Sequence, residues 1–244
     1  LDTFDHALLE RELDKYFPTI PAGLLNIRKG QRLYRARIIE GGKSFRSADD
    51  FAHVPPEKKL LSTEYGRANL KTQSLFYSAT DPDTALMECG VSKRIDESIW
   101  FLAIGEWEVI EDIVVADIVL HDMQELRGTV ADKKREHMFN LISPGLDVEQ
   151  MECVKMILDF FGRQFSRIEV PSHNYYFYTA YLSQVLLSLK ENGRPVDGIQ
   201  YPSVCTSYEG NNIVLRPELI TEKKIRLIKT YEIVCAVDRE IQIV

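Results

Sequence analysis

Basic charge, paired cysteines and long apolar runs are all scarce in this 244-residue chain, and each shortage excludes something. Lys and Arg number 30 against 37 Asp and Glu, a net charge of −7. Duplex-binding proteins show the reverse balance, because phosphate neutralisation supplies most of their affinity, so nucleic acid is excluded as the main ligand. One small anion in a local basic site remains compatible with that charge. The four cysteines (Cys89, Cys153, Cys205, Cys235) are scattered without a CxxC pair. Such spacing forms neither a zinc signature nor a disulfide framework and fits a reducing compartment. The five histidines (His6, His53, His121, His137, His173) are equally dispersed, so no metal site is expected. GxGxxG, a P-loop, GxSxG and HExxH are missing. The longest run free of Asp, Glu, Lys and Arg, Val170 to Leu189, carries Pro171, His173, Asn174 and Gln184 and is too polar to span a membrane. The opening LDTFDHALLERELDKYF reads as an acidic amphipathic helix and not as a secretory leader. A soluble, cytoplasmic protein is expected.

What is present is ordinary globular material. With 45% hydrophobic and 27% charged residues, a buried core is attainable and wholesale disorder is excluded. The length fits one large domain, or one domain with an insertion. Residues 1–17 carry a helical stripe of Leu8, Leu9, Leu13, Tyr16 and Phe17, closed by Pro18 and Pro21. Residues 31–38 alternate as a strand, with Leu33, Arg35 and Arg37 on one side and Tyr34, Ala36 and Ile38 on the other. Gly41-Gly42 breaks it, and a long polar stretch containing Pro55-Pro56 follows over 43–74. Strands are expected at 75–79, 99–109, 113–120, 196–201, 213–216 and roughly 224–237. Asp81 and Pro82 open a short helix over 82–90. Helices are expected at 121–142, 147–166 and 174–191, the last ended by Gly193. Stripes such as Met151, Val154, Ile157, Leu158, Phe161 and Phe165 read as packing surface, which also suits self-association. Strands, a helical block and strands again make an α+β protein, with the helical block (about 121–192) inserted between halves of one sheet system.

Three patches could carry chemistry. In the first, Arg35 and Arg37 share one strand face, where two guanidiniums could grip a diphosphate or simply face solvent. The second runs from Tyr65-Gly66-Arg67-Ala68-Asn69 through Ser74-Leu75-Phe76-Tyr77-Ser78-Ala79 to Thr84-Ala85-Leu86-Met87-Glu88-Cys89. Glu88 is the odd residue there: a carboxylate in an apolar helix, facing either a polar cleft or solvent. The third is Val196-Asp197-Gly198-Ile199-Gln200-Tyr201-Pro202-Ser203 with Gly210-Asn211-Asn212-Ile213-Val214-Leu215-Arg216-Pro217. Its Ser203 reads as a strand-end functional residue or as a turn residue.

In this order and spacing, over roughly residues 31–103 and 195–217, the three patches resemble the RES domain family, named for its Arg, Glu and Ser. The resemblance assigns those roles to Arg35, Glu88 and Ser203 and sets Tyr65, Arg67 and Tyr77 at pocket positions. It implies a single RES-like domain over 1–244 with an N-terminal extension (1–30), and a sheet core like that of ADP-ribosyltransferases. It also implies a toxin-like enzyme that destroys NAD, held by an antitoxin partner, with NAD as substrate and no other cofactor. Nicotinamide is a cationic leaving group, so what needs stabilising is an oxocarbenium-like ribosyl centre, a task suited to Glu88. Arg35, with Arg67, would clamp the pyrophosphate; Tyr65 and Tyr77 would stack on nicotinamide or ribose; Ser203 would bond a ribose hydroxyl or a phosphate. The alternatives are transfer of ADP-ribose to a macromolecule, or a catalytically silent module that binds a nucleotide or a protein.

Overall fold

The structure, a computed structural model, describes residues 8, 11–13, 15, 22–39, 45, 47–52, 64–90, 99–119, 126–167, 172–236 and 241–243. In chain order its elements are β1 (Gly23–Ile27), β2 (Arg32–Ile39), α1 (Ala48–Phe51), β3 (Phe76–Ala79), α2 (Pro82–Glu88), β4 (Ile99–Val109) and β5 (Ile113–Asp117). Then come α3 (Val130–Ile142), α4 (Val148–Phe165), α5 (Phe177–Ser188), β6 (Lys190–Glu191), β7 (Arg194–Pro195) and β8 (Gly198–Pro202). The chain closes with β9 (Asn211–Leu215), α6 (Glu218–Thr221), β10 (Ile225–Ala236) and β11 (Ile241–Ile243). This is the α+β character read from the sequence. Gly41-Gly42, Pro55-Pro56 and residues 121–125 lie outside the described residues, as does most of the 1–17 segment; the helix expected over 121–142 begins only at Val130, because Gly128 (φ 79°) turns the chain and Thr129 caps the first turn.

The chain divides into two compact units. Unit 1 comprises Leu1–Leu25, Pro55–Ser74 and Val114–Pro202; unit 2 comprises Asn26–Val54, Leu75–Ile113 and Ser203–Val244. In unit 2 the strands run in the order β9-β3-β2-β4-β10-β11, with antiparallel pairing from β9 through to β11. The alternation of β2 sends Tyr34, Ala36 and Ile38 against the core of Leu86, Leu102, Ile104 and Ile233. Trp107 packs edge-on to Phe76 with ring centroids 5.0 Å apart. Burying side chains of this size contributes about 1.5–3 kcal/mol each, which fixes the strand faces and hence the register.

In unit 1 the strand order is β1-β5-β8, and β5 runs parallel to β8. A parallel pair requires a long crossover, which α3, α4 and α5 provide. Each of the first two opens on a side-chain cap: Thr129 on α3, and a reciprocal Asp147–Gln150 capping box on α4. Phe161, Phe165, Leu182 and Leu186 are buried as their helical spacing predicts. The third helix stops earlier than expected, at Ser188. Lys190–Glu191 and Arg194–Pro195 instead form a hairpin around Asn192 (φ 51°) and Gly193 (φ 81°). Asn-Gly suits the two positive-φ positions of such a turn, so Gly193 marks a hairpin and not a helix stop. No helix among the described residues is long and apolar enough to cross a membrane.

Candidate functional site

Helix α2 places the first side chain. The Asp81 carboxylate accepts the Thr84 N–H at 2.7 Å and the Thr84 hydroxyl at 2.8 Å, and Pro82 opens the first turn. Seven residues later the helix ends at Glu88. A carboxylate at a helix C-terminus opposes the macrodipole, so other groups must hold it. The Ser203 hydroxyl donates to Glu88 Oε1 at 2.6 Å, and the Asn212 amide donates to the same oxygen at 2.7 Å. Ser203 is fully buried and Asn212 is 6% exposed, whereas Glu88 itself is exposed. Among the described residues nothing hydrogen-bonds Glu88 Oε2. The carboxylate is therefore aimed through one oxygen and available through the other.

The segment that carries Ser203 is folded on itself. The Ser203 N–H donates to the Gly210 carbonyl at 2.8 Å, and the Tyr208 N–H donates to the Ser203 carbonyl at 2.8 Å. Between them Ser207 (φ 52°) and Tyr208 (φ 69°) adopt the left-handed region, an uncommon conformation for non-glycine residues. Gly210 lets this loop lie against the first turn of α2: a Cβ there would sit 1.8 Å from Thr84 Oγ1. Close backbone approach is what brings Ser203 and Asn212 to the same carboxylate oxygen.

Arg35 lies in the same unit, on the β2 face opposite Tyr34, Ala36 and Ile38. Its Nη1 donates to the Tyr77 carbonyl at 2.6 Å, and the guanidinium sits 5.1 Å from the Phe76 ring centroid. Arg35 Nε is enclosed and, among the described residues, has no hydrogen-bond partner. Arg37, on the same face, donates to the Ala52 carbonyl at 2.6 Å and likewise leaves Nε enclosed without a partner. Gly105, opposite Arg35 in the register, leaves room for the Phe51 ring, which a Cβ would meet at 2.9 Å. Burial, reinforced by the neighbouring Arg37 charge, lowers Arg35 to about 9, so it stays a cation at neutral pH. Among the described residues neither arginine has an ion-pair partner. Two enclosed cations of this kind make a site that favours an anion.

The structure thus brings Glu88 and Ser203 together. Arg35 makes no hydrogen bond to either; its acceptor is the backbone of Tyr77, whose own side chain is half-buried. Tyr65 and Arg67 belong to unit 1. Tyr65 is buried edge-on to Phe177 at 5.6 Å, with Lys71 Nζ 4.8 Å from its ring centroid. Arg67 donates to the carbonyls of Phe165 and Arg167 and lies 5.2 Å from the Tyr176 ring centroid. Asn212 is a site residue that sequence pattern alone does not assign. The signal for it was an amide entering an apolar strand, Asn212-Ile-Val-Leu, which is costly unless it is hydrogen-bonded. Among the described residues no three His, Cys, Asp or Glu side chains cluster as metal ligands.

A family model for the RES domain matches residues 32–233, a span that contains Arg35, Glu88, Ser203 and Asn212. The chain belongs to the RES domain family. No curated protein matches it.

Proposed function

We propose that this chain consumes NAD, cleaving the bond between nicotinamide and ribose as a glycohydrolase or phosphorylase. The observation that supports this most is the half-used carboxylate of Glu88, held through Oε1 by two buried donors and, among the described residues, unbonded at Oε2. In the reaction the C1′–N bond breaks and its electron pair leaves with nicotinamide, so positive charge grows on the ribosyl carbon and ring oxygen. A fixed negative oxygen beside that charge stabilises the transition state more than the ground state. A water or phosphate oxygen then bonds to C1′; a water nucleophile gives up its proton to solvent.

Arg35 supports the substrate side of the reading. An enclosed cation with an unpartnered Nε favours the pyrophosphate, to which guanidinium groups bond in pairs. The proposal rests on unit-2 residues, because Tyr65 and Arg67 already serve packing and chain-clamping roles in unit 1. Kinship of the sheet with ADP-ribosyltransferases belongs to the same proposal, as does growth arrest in cells that make the chain without a restraining partner protein. The test is to incubate purified protein with NAD and follow free nicotinamide, with and without inorganic phosphate. Release in large excess over protein is expected, and acceleration by phosphate would identify a phosphorylase. NAD that binds and remains intact would overturn the reading.

A further inference from the structure

The outward face of α4 carries exposed apolar side chains between charged ends, with Phe160 resting edge-on against Tyr178 of its own chain at 5.6 Å. Eight large hydrophobic side chains among the described residues are exposed, and four of them (Leu141, Val148, Met156 and Phe160) fall on the α3–α4 helical hairpin. Met156 is 63% exposed and Phe160 41%. Cys153 is exposed beside them, while Phe161, Gly162 and Phe165 on the inner side are buried. Single exposed hydrophobics are ordinary, but a stripe along one helix marks an interaction surface.

We infer that this face is where a second copy of the chain docks, helix against helix and antiparallel, with Met156 at the two-fold axis. The charges on the helix choose this occupant. Glu149 and Glu152 lie in its first half and Arg163 in its last turn. A two-fold axis at residue 156 puts Glu149 of one copy opposite Arg163 of the other, twice, because both lie seven residues from the axis. The same register sets Phe160 opposite Glu152, whose carboxylate has Lys155 of its own chain at 3.9 Å, and Cys153 opposite Asp159. Asp159 does not oppose this arrangement, because it is engaged by Arg135 of its own chain at 3.4 Å. The two antiparallel helix dipoles add to the attraction. An unrelated partner would not require acid and base at equal distances from one central apolar residue. A single helix pair is at the small end of specific interfaces, so the association is weak and concentration-dependent.

The test is sedimentation of the full chain from low to high micromolar concentration. The expected result is a reversible shift from monomer to dimer that Met156→Glu abolishes without changing the circular dichroism spectrum. Glu149→Arg and Arg163→Glu should each weaken the dimer at least tenfold, and the double swap should restore it, because that swap re-creates the pair with signs exchanged. In a Cys153→Ser background, Met156→Cys should cross-link two copies under mild oxidation, since residues on the axis approach within disulfide reach. A chain that stays monomeric throughout, or a dimer indifferent to Met156→Glu and to the charge swaps, would overturn the inference. A dimer restored by the double swap cannot be explained by loss of folding.

Discussion

Glu88 and Asp117 both accept a hydrogen bond from a carboxamide, Asn212 at 2.7 Å and Gln200 at 3.1 Å. They otherwise differ in every respect that decides what a carboxylate can do. Asp117, in unit 1, is 7% exposed, with Lys134 Nζ 3.6 Å away, and burial pushes its carboxyl above the usual range. Glu88, in unit 2, stays exposed while its donors Ser203 and Asn212 are buried. Enclosing the acid spends its charge on structure. Enclosing its donors instead fixes its aim and leaves the charge for a ligand. The two sites share one interaction type but place the desolvation on opposite partners.

The largest effect is expected at Glu88. Glu88→Gln keeps an acceptor for Ser203 and Asn212 but removes the charge. Nicotinamide release should fall by roughly 10²–10³, with NAD affinity and thermal stability nearly unchanged. A full-rate Gln variant would remove Glu88 from the chemistry. The amides sharpen the contrast next. Asn212→Ala should lower the rate about tenfold by freeing the carboxylate to turn. Gln200→Ala should instead register in the melt, at about 1–3 kcal/mol, by leaving a buried acid short of a donor. Equal losses of rate in the two variants would erase the distinction drawn between the sites.

Arg35→Lys comes third. An ammonium cannot offer two parallel donors to phosphate oxygens, so NAD binding should weaken at least tenfold, about 1.4 kcal/mol, by calorimetry. The smallest effect belongs to Asp117. Its folded-state value lies above its ordinary 3.8, so the native protein holds more protons than the unfolded chain above that pH. The contribution of this carboxyl to stability is therefore present at low pH and lost as pH rises through the raised value. Asp117→Asn lacks that slope. Melts of both proteins at pH 4 and pH 7 should show the difference between them moving in favour of Asn at the higher pH. A gap independent of pH would contradict the assignment.

Local patterns made much of the scaffold legible. Alternation in 31–38 gives β2, one residue out of register with its observed bounds but with its faces correctly sorted, and the cap at Asp81 with Pro82 gives α2. The strand expected at 99–109 has those bounds. The hairpin at Asn192-Gly193 is masked in the sequence by the helical stripe before it, whose apolar period runs on to Leu189. The short β1 and β11 carried too few residues for either period to stand out. In the candidate site, Glu88 stood out because a carboxylate in an apolar helix needs a reason. That its holders are Ser203 and Asn212 was not readable from spacing, because they lie 115 and 124 residues away. Family resemblance pointed to Ser203; Asn212 emerged only from the fold. Gly210 was equally silent, since its need for a hydrogen side chain arises from Thr84, on another element.

On the proposed chemistry, Asn212 acts on the reaction through the carboxylate of Glu88. A double-mutant cycle on nicotinamide release from NAD tests it directly. Asn212→Ala should cost about tenfold in the wild-type background and nothing further in a Glu88→Ala background, where no carboxylate remains to be positioned. Equal, additive losses in the two backgrounds would contradict it.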